Sequence, residues 1–246
     1  WTRIDNGLPA TEFTRVLRED PGKRGLLVAG TERGVYFSSD DGAHWQSLRL
    51  GLPYVPVHDL TFKEGDLILA THGRGFYVMD DITTLERMTD AIAASPAHLF
   101  KPRDQYRMAT GGGFGGGGGG GGGAQQVTPE NAPIRPSGAN PPSGVVVQYW
   151  LKTGNELVNL DFLDAAGKVI KSYTSKADSA ATPAPNADAD FFAPPPPQRV
   201  PNKQGVNTFL WNLRYPDAST FPGMILWAAS TTGPLVPPGT YKVRMS

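Results

Sequence analysis

The sequence lacks cysteine, an excess of either charge and any long apolar run. The absence of cysteine excludes disulfide bonds and cysteine-ligated zinc. Lys plus Arg and Asp plus Glu each number 23, so the formal net charge is zero; a dedicated nucleic-acid binder, which needs a basic face for phosphates, is not expected. No stretch approaches the roughly 18 apolar residues of a transmembrane helix. Residues 1–10 lack the basic region and apolar core of a signal peptide, so none is predicted in this segment.

Glycine and proline, by contrast, are abundant, with 30 and 23 of the 246 residues. This fraction predicts many turns and linkers. A chain of this length suits one or two domains, at roughly 150 residues each.

An internal repeat organises the first 90 residues. Trp1 and Trp45 are 44 positions apart, and each is followed six residues later by the tripeptide Gly-Leu-Pro. After each tripeptide come three short segments with β-strand character, separated by turns: 13–17, 25–29 and 34–38 in the first copy, and 57–62, 66–70 and 75–79 in the second. A period of about 40–45 residues built from short strands is typical of β-propeller blades.

The turn at residues 38–45, Ser-Ser-Asp-Asp-Gly-Ala-His-Trp, carries a motif of its own. Ser38, Asp40, Gly42 and Trp45 match the Asp-box, S-x-D-x-G-x-T-W, with His44 in place of threonine. The segment therefore resembles the bacterial neuraminidase repeat and sortilin-type propellers. We expect a structural role for these residues, because Asp and Ser side chains bind turn amides and glycine accepts positive φ.

A degenerate second copy at residues 79–82 keeps Asp81 but lacks the tryptophan. Residues 70–81 also resemble the final blade of secreted bacterial members of this family, often labelled sialidase-like or glycosyl-hydrolase-like. The resemblance covers residues 1–90 and implies an extracellular, periplasmic or cell-surface protein. Because propellers have about four to eight blades, we expect these two to belong to a larger protein, packing against its other blades or against neighbouring subunits, with the first blade exposing an apolar flank or covered by another chain.

The chain beyond the repeat predicts a linker and a second β domain. Apolar residues at 82, 85, 88 and 92 predict one short amphipathic helix. Residues 91–143, which include the glycine tract 111–123, are predicted to be a linker. Strand patterns recur over 144–246, around a proline-rich insert at 174–204. This region resembles the small Ig-like or fibronectin-like β-sandwiches of secreted bacterial proteins, so the expected fold class is all-β: two propeller blades and a sandwich.

Candidate ligand-binding residues are few. Arg33 and Arg74 occupy corresponding turns of the two repeats, His72 lies beside Arg74, and Trp227 stands in a segment bounded by glycine and proline. Two turn arginines in a repeat are, however, more often solvated turn residues. His58 and His72 belong to one repeat and so lie within reach of each other, yet a hydrogen-bonded or core histidine is the more common outcome. We predict no catalytic residue, cofactor or metal site in this chain.

Two functional interpretations remain. The first is a non-catalytic binding or structural part of a secreted propeller protein, which recognises a glycan or a protein or packs within an extracellular assembly. The alternative is part of a glycoside hydrolase, sialidase-like or xyloglucanase-like, whose catalytic carboxylates lie mostly in other blades. An enzyme of this class needs a convergent pair of carboxylates, whereas a scaffold needs only a broad contact surface.

Overall fold

The computed structural model describes residues 2–48, 51–106, 143–176, 198–219 and 231–246. Their regular secondary structure is mostly β-strand, as the sequence predicted, with two short helices. The Trp1 position, the glycine tract 111–123, most of the insert at 174–204 and Trp227 lie outside them. Neither helix of the described residues is long and apolar enough to cross a membrane.

Contacts divide the described residues into two units. The first unit runs to Lys101 and also takes in Gln148–Glu156 and Asn202–Asn207, and the second contains the rest.

The first repeat forms a four-stranded antiparallel sheet, here called the first sheet, in the order β1-β2-β3-β4. Its strands are β1 (Thr14–Glu19), β2 (Leu27–Thr31), β3 (Val35–Ser38) and β4 (Gln46–Ser47). Each predicted strand segment of this repeat overlaps an observed strand.

The second repeat forms a three-stranded antiparallel sheet, the second sheet, in the order β5-β6-β7. Its strands are β5 (Val57–Lys63), β6 (Asp66–Thr71) and β7 (Gly75–Met79). The two sheets share one hydrophobic core, whose buried members are Val28, Val35, Leu48, Val57, Leu60, Leu67, Leu69 and Ile82. The repeats are therefore stacked sheets that bury each other's faces.

Gly30 sets how closely the two sheets approach. A Cβ atom placed on Gly30 would lie 2.7 Å from Val16 Cγ1, 2.8 Å from Val57 Cγ1 and 2.9 Å from Val57 O. Those distances are shorter than van der Waals contact, so β5 can lie against β2 only because this position has no side chain.

The segment after β7 differs from the predicted single helix over 82–92. The structure has α1 (Thr83–Arg87) and α2 (Asp90–Ala94), separated by Met88 in an extended conformation. Thr89 starts the second helix as its N-cap, with its hydroxyl accepting a hydrogen bond from Ile92 N at 3.2 Å. A strong cap inside an apolar periodicity thus divided one expected helix into two.

The remaining strands are β8 (Ala97–Leu99), β9 (Val145–Leu151), β10 (Asn159–Leu163), β11 (Val169–Thr174), β12 (Gly205–Trp211) and β13 (Lys242–Met245). They form sheets in the orders β12-β9-β8 and β11-β10-β13. In the second unit Phe162 of β10 stacks on Trp211 of β12, with ring centroids 4.5 Å apart. This aromatic contact therefore joins strands of two sheets in the core of the second unit.

Candidate functional site

The turn between β3 and β4 is held by the side chains of its own motif. Ser38 is 1% exposed, and its hydroxyl donates to Asp40 Oδ1 at 2.7 Å while accepting from Gly42 N at 2.9 Å. Asp40 Oδ1 also accepts from His44 N at 2.9 Å. Gly42 has φ +87°, a region that glycine enters without steric cost. The motif therefore satisfies the turn amides locally, without a ligand.

The same contacts set the charge of Asp40. A side-chain hydrogen bond from the His44 ring is the largest effect, followed by the Ser38 hydroxyl and His44 N, and together they lower the pKa of Asp40 to about 2. His44 takes the place of the usual threonine and supplies both a backbone and a side-chain contact. The carboxylate is a turn-binding group, ionised throughout the neutral range.

Trp45 ties this turn to the chain before β1. Its ring is 6% exposed and contacts Leu27 and Ala29 of β2. Its indole N–H donates to Ile4 O at 2.6 Å, and its backbone N–H donates to Asn6 O at 2.8 Å. The tryptophan thus covers Leu27 and Ala29 on the face of the first sheet that does not contact the second sheet, while Leu17, which pairs with Ala29 on that face, stays 49% exposed.

The second repeat keeps part of this turn. Asp41 N donates to Gly25 O at 3.0 Å in the first repeat, and Ile82 N donates to Gly65 O at 2.9 Å in the second. The preceding residue is an aspartate in both, Asp40 and Asp81. Asp81 is 8% exposed, and its carboxylate accepts from Thr83 N at 3.2 Å. Asp81 therefore turns the chain into α1, where the first repeat continues into β4.

The opposite ends of the sheets carry the candidate ligand-binding residues. Arg33 and Arg74 are exposed in the β2–β3 and β6–β7 turns. Both turns are closed by a threonine hydroxyl that donates to a glycine carbonyl: Thr31 to Gly34 at 3.2 Å and Thr71 to Gly75 at 2.7 Å. The structure thus places the two arginines at matching positions of separate sheets, and the binding role remains a prediction.

His72 does meet His58. Their rings stack with centroids 5.1 Å apart and an interplanar angle of 21°. Both side chains are exposed. Within the described residues no group of three or more His, Cys, Asp or Glu side chains is arranged to hold a metal ion.

One apolar surface was not anticipated as a site. On the second sheet, Ile68 pairs with Val78 and Ala70 with Phe76, so these four side chains share one face, here called the outer face. Phe76 is 78% exposed and Val78 53% exposed. We expected the first repeat to expose an apolar flank or to be covered by another chain; there Leu27, Ala29 and Trp45 are buried, while Leu17 is 49% exposed. Strict alternation in β7 was the available signal, since Phe76 and Val78 flank the partly buried Tyr77.

Comparisons with family models, curated proteins and solved structures found no match to this chain.

Proposed function

We propose that the two stacked sheets are consecutive blades of a propeller-type repeat, and that the chain is a non-catalytic structural and binding component that accepts another sheet on its outer face. One observation carries the proposal. Each position of the outer face corresponds to a position of the first sheet that faces the second sheet.

The correspondence follows from the hairpin registers. Leu27 pairs with Ser38 in the first sheet, and Leu67 pairs with Met79 in the second. The offsets are therefore 67 − 27 = 40 for the middle strands and 79 − 38 = 41 for the third strands. They match the outer face to the following residues of the first sheet: Ile68 to Val28, Ala70 to Gly30, Phe76 to Val35 and Val78 to Phe37.

Those partners lie at the contact between the two sheets. Val28 is fully buried and Val35 is 2% exposed in the shared core. The small residue is also repeated: Ala70 occupies the position that corresponds to Gly30, where the absence of a side chain allows β5 to pack against the first sheet. The outer face thus has the pattern of a sheet-covering face, and Phe76 supplies the kind of aromatic side chain that dominates interface energetics.

The partner that fits this face is a further sheet of the same repeat. In a preparation of this chain alone, a second copy must supply that sheet. The resulting contact is head-to-tail, because the outer face of one copy accepts the face of the other copy's first sheet that carries Trp45 and the exposed Leu17.

The resemblance to secreted Asp-box proteins supports an extracellular, periplasmic or cell-surface location and an Ig-like second unit as parts of the same proposal. The glycoside hydrolase alternative rests on that resemblance alone. Among the described residues, the turn carboxylates Asp40 and Asp81 each accept a hydrogen bond from a nearby backbone amide.

Sedimentation velocity over a wide range of protein concentration tests the proposal. We expect the native chain to associate, and Phe76→Asp to remain monomeric because it places a charge in the contact. Tyr106→Asp is the matched control: Tyr106 is a 90% exposed aromatic residue outside this face, and that variant should associate like the native chain. A native chain that stays monomeric throughout, or a Phe76→Asp variant that associates normally, would overturn the proposal.

A further inference from the structure

The stacked histidines occupy a special backbone position. The β5–β6 register shifts between Val57 and Asp59, so His58 is the extra residue of a β-bulge. His72 directly follows the last residue of β6. Bulges turn a side chain out of the normal strand alternation and are frequent beside functional sites. Here the bulge brings the His58 ring onto that of His72.

The first sheet has the same bulge with different chemistry. Its register shifts between Thr14 and Val16, so Arg15 is the extra residue, and Glu32 directly follows the last residue of β2. Arg15 and Glu32 form an ion pair. The corresponding positions of the second sheet therefore replace two opposite charges by two imidazoles.

Two imidazoles cannot neutralise each other as the ion pair does. The structure gives neither ring a hydrogen bond or an ion pair with another described residue. In its neutral form, each imidazole carries one nitrogen lone pair that no described residue occupies, and both rings face solvent. Such a pair can supply two nitrogen ligands to one metal ion.

The ring separation suits a shared metal ion. Imidazole nitrogen is a preferred ligand of zinc, copper and nickel. With a metal–nitrogen distance of about 2.0–2.1 Å and tetrahedral angles, the centroids of two bound imidazoles lie about 5 Å apart. The observed 5.1 Å agrees with that separation. The rings now lie nearly parallel, so rotation about the Cβ–Cγ bonds is needed to turn both nitrogens to one point, and exposed side chains allow it.

We propose that His58 and His72 form a two-ligand binding site for a divalent transition metal of the copper, nickel and zinc class, with water or an external ligand completing the coordination shell. The site is independent of sheet stacking, because the histidines lie at the end of the sheet and not on its outer face. Its open positions leave the ion able to bind a further donor group, as carboxylates and imidazoles of a partner provide.

Zinc titration by calorimetry tests this site, and the chain supplies its own controls. We expect the native chain to bind one zinc ion, and His58→Asn and His72→Asn each to bind at least about tenfold more weakly, because two linked donors bind far more tightly than one. The other histidines, His44 and His98, contact Asp40 and Phe100, so His44→Asn and His98→Asn should bind zinc as the native chain does.

A double variant separates metal binding from folding. His58→Arg with His72→Glu rebuilds the ion pair of the first sheet, and we expect it to melt at the native temperature without zinc and to lose zinc binding. The imidazole Hε1 proton resonances of His58 and His72 should also shift together as zinc is added to the native chain. The proposal is overturned if the native chain binds no zinc, if either single variant retains native affinity, or if the control variants lose binding equally.

Discussion

The first and second sheets share the same turn and bulge contacts and differ in the segments that follow their third strands. Both have a bulge in their first strand and a threonine hydroxyl that closes the turn between their second and third strands. In both, an aspartate also precedes the residue whose backbone amide donates to a glycine carbonyl in the turn before the second strand. The first sheet then adds β4 and covers part of its free face with Trp45, whereas the second continues into helices and leaves Phe76 exposed. The bulges and turn hydrogen bonds thus define the repeat, whereas side chains such as Trp45 and Phe76 decide which faces of the sheets remain exposed.

The largest expected effect comes from removing the cover of the first sheet. Trp45→Ala should lower the free energy of unfolding by about 3–5 kcal/mol, because it empties a buried aromatic site. Urea unfolding followed by far-ultraviolet circular dichroism measures this. Trp45→Phe is the control that retains an aromatic ring but loses the hydrogen bond to Ile4 and part of the buried ring volume, so its loss should be smaller, about 1–3 kcal/mol. Equal losses in the two variants would contradict burial as the main contribution.

The next effect concerns the small residues that correspond in the two sheets. Gly30→Ala should cost about 1–3 kcal/mol, because its methyl group overlaps Val16 and Val57. Ala70→Val adds more volume, yet on the open outer face it should stay within about 0.5 kcal/mol of the native chain. Both are measured by urea unfolding at a concentration where the chain is monomeric. A loss in Ala70→Val as large as that in Gly30→Ala would show that the outer face is covered within the chain itself.

The smallest effect is the pH dependence of the turn that only the first sheet completes. The pKa of Asp40 is lowered to about 2 in the folded chain, against about 3.9 in an unfolded chain. A lowered folded pKa stabilises the fold above the unfolded value, and that stabilisation is lost as pH falls from about 4 towards 2. Carboxyl carbon NMR should give an Asp40 midpoint near 2, and Asp40→Asn should remove this residue's share of the stability loss in that window. A midpoint near 4 would show that the His44 and Ser38 contacts do not hold in solution.

Strand placement was accessible from the sequence because local signals agreed. Alternating apolar residues and turns rich in Gly, Asp and Pro predicted three strands in each repeat and further strands over 144–246, whereas β4 was not among the predicted segments. The division of the predicted helix over 82–92 into two helices at Thr89 was not predicted, because the apolar spacing is a stronger sequence signal than a single capping residue. The motif turn at Ser38 and Asp40 was recognised because its side chains act within a few residues of themselves.

The outer face and the histidine pair show where sequence reasoning stopped. Exposure of Phe76 depends on which face of the second sheet meets the first, and that is decided by contacts such as Gly30 with Val57, far apart in sequence. The proximity of His58 and His72 was expected because they belong to one repeat. Their stacking depends on the bulge, and the sequence of β5 contains no signal that predicts it.

The outer face also bears on how large an assembly becomes. A sheet that docks there and carries the same pattern presents an equivalent face in turn. The contact itself therefore does not fix the number of stacked sheets. The number is then decided by the angle between successive sheets, through closure onto the first member, or by a member whose exposed face is polar and ends the series. Under the proposed stacking, the close approach that Gly30 permits therefore bears on stoichiometry as well as on the strength of the contact.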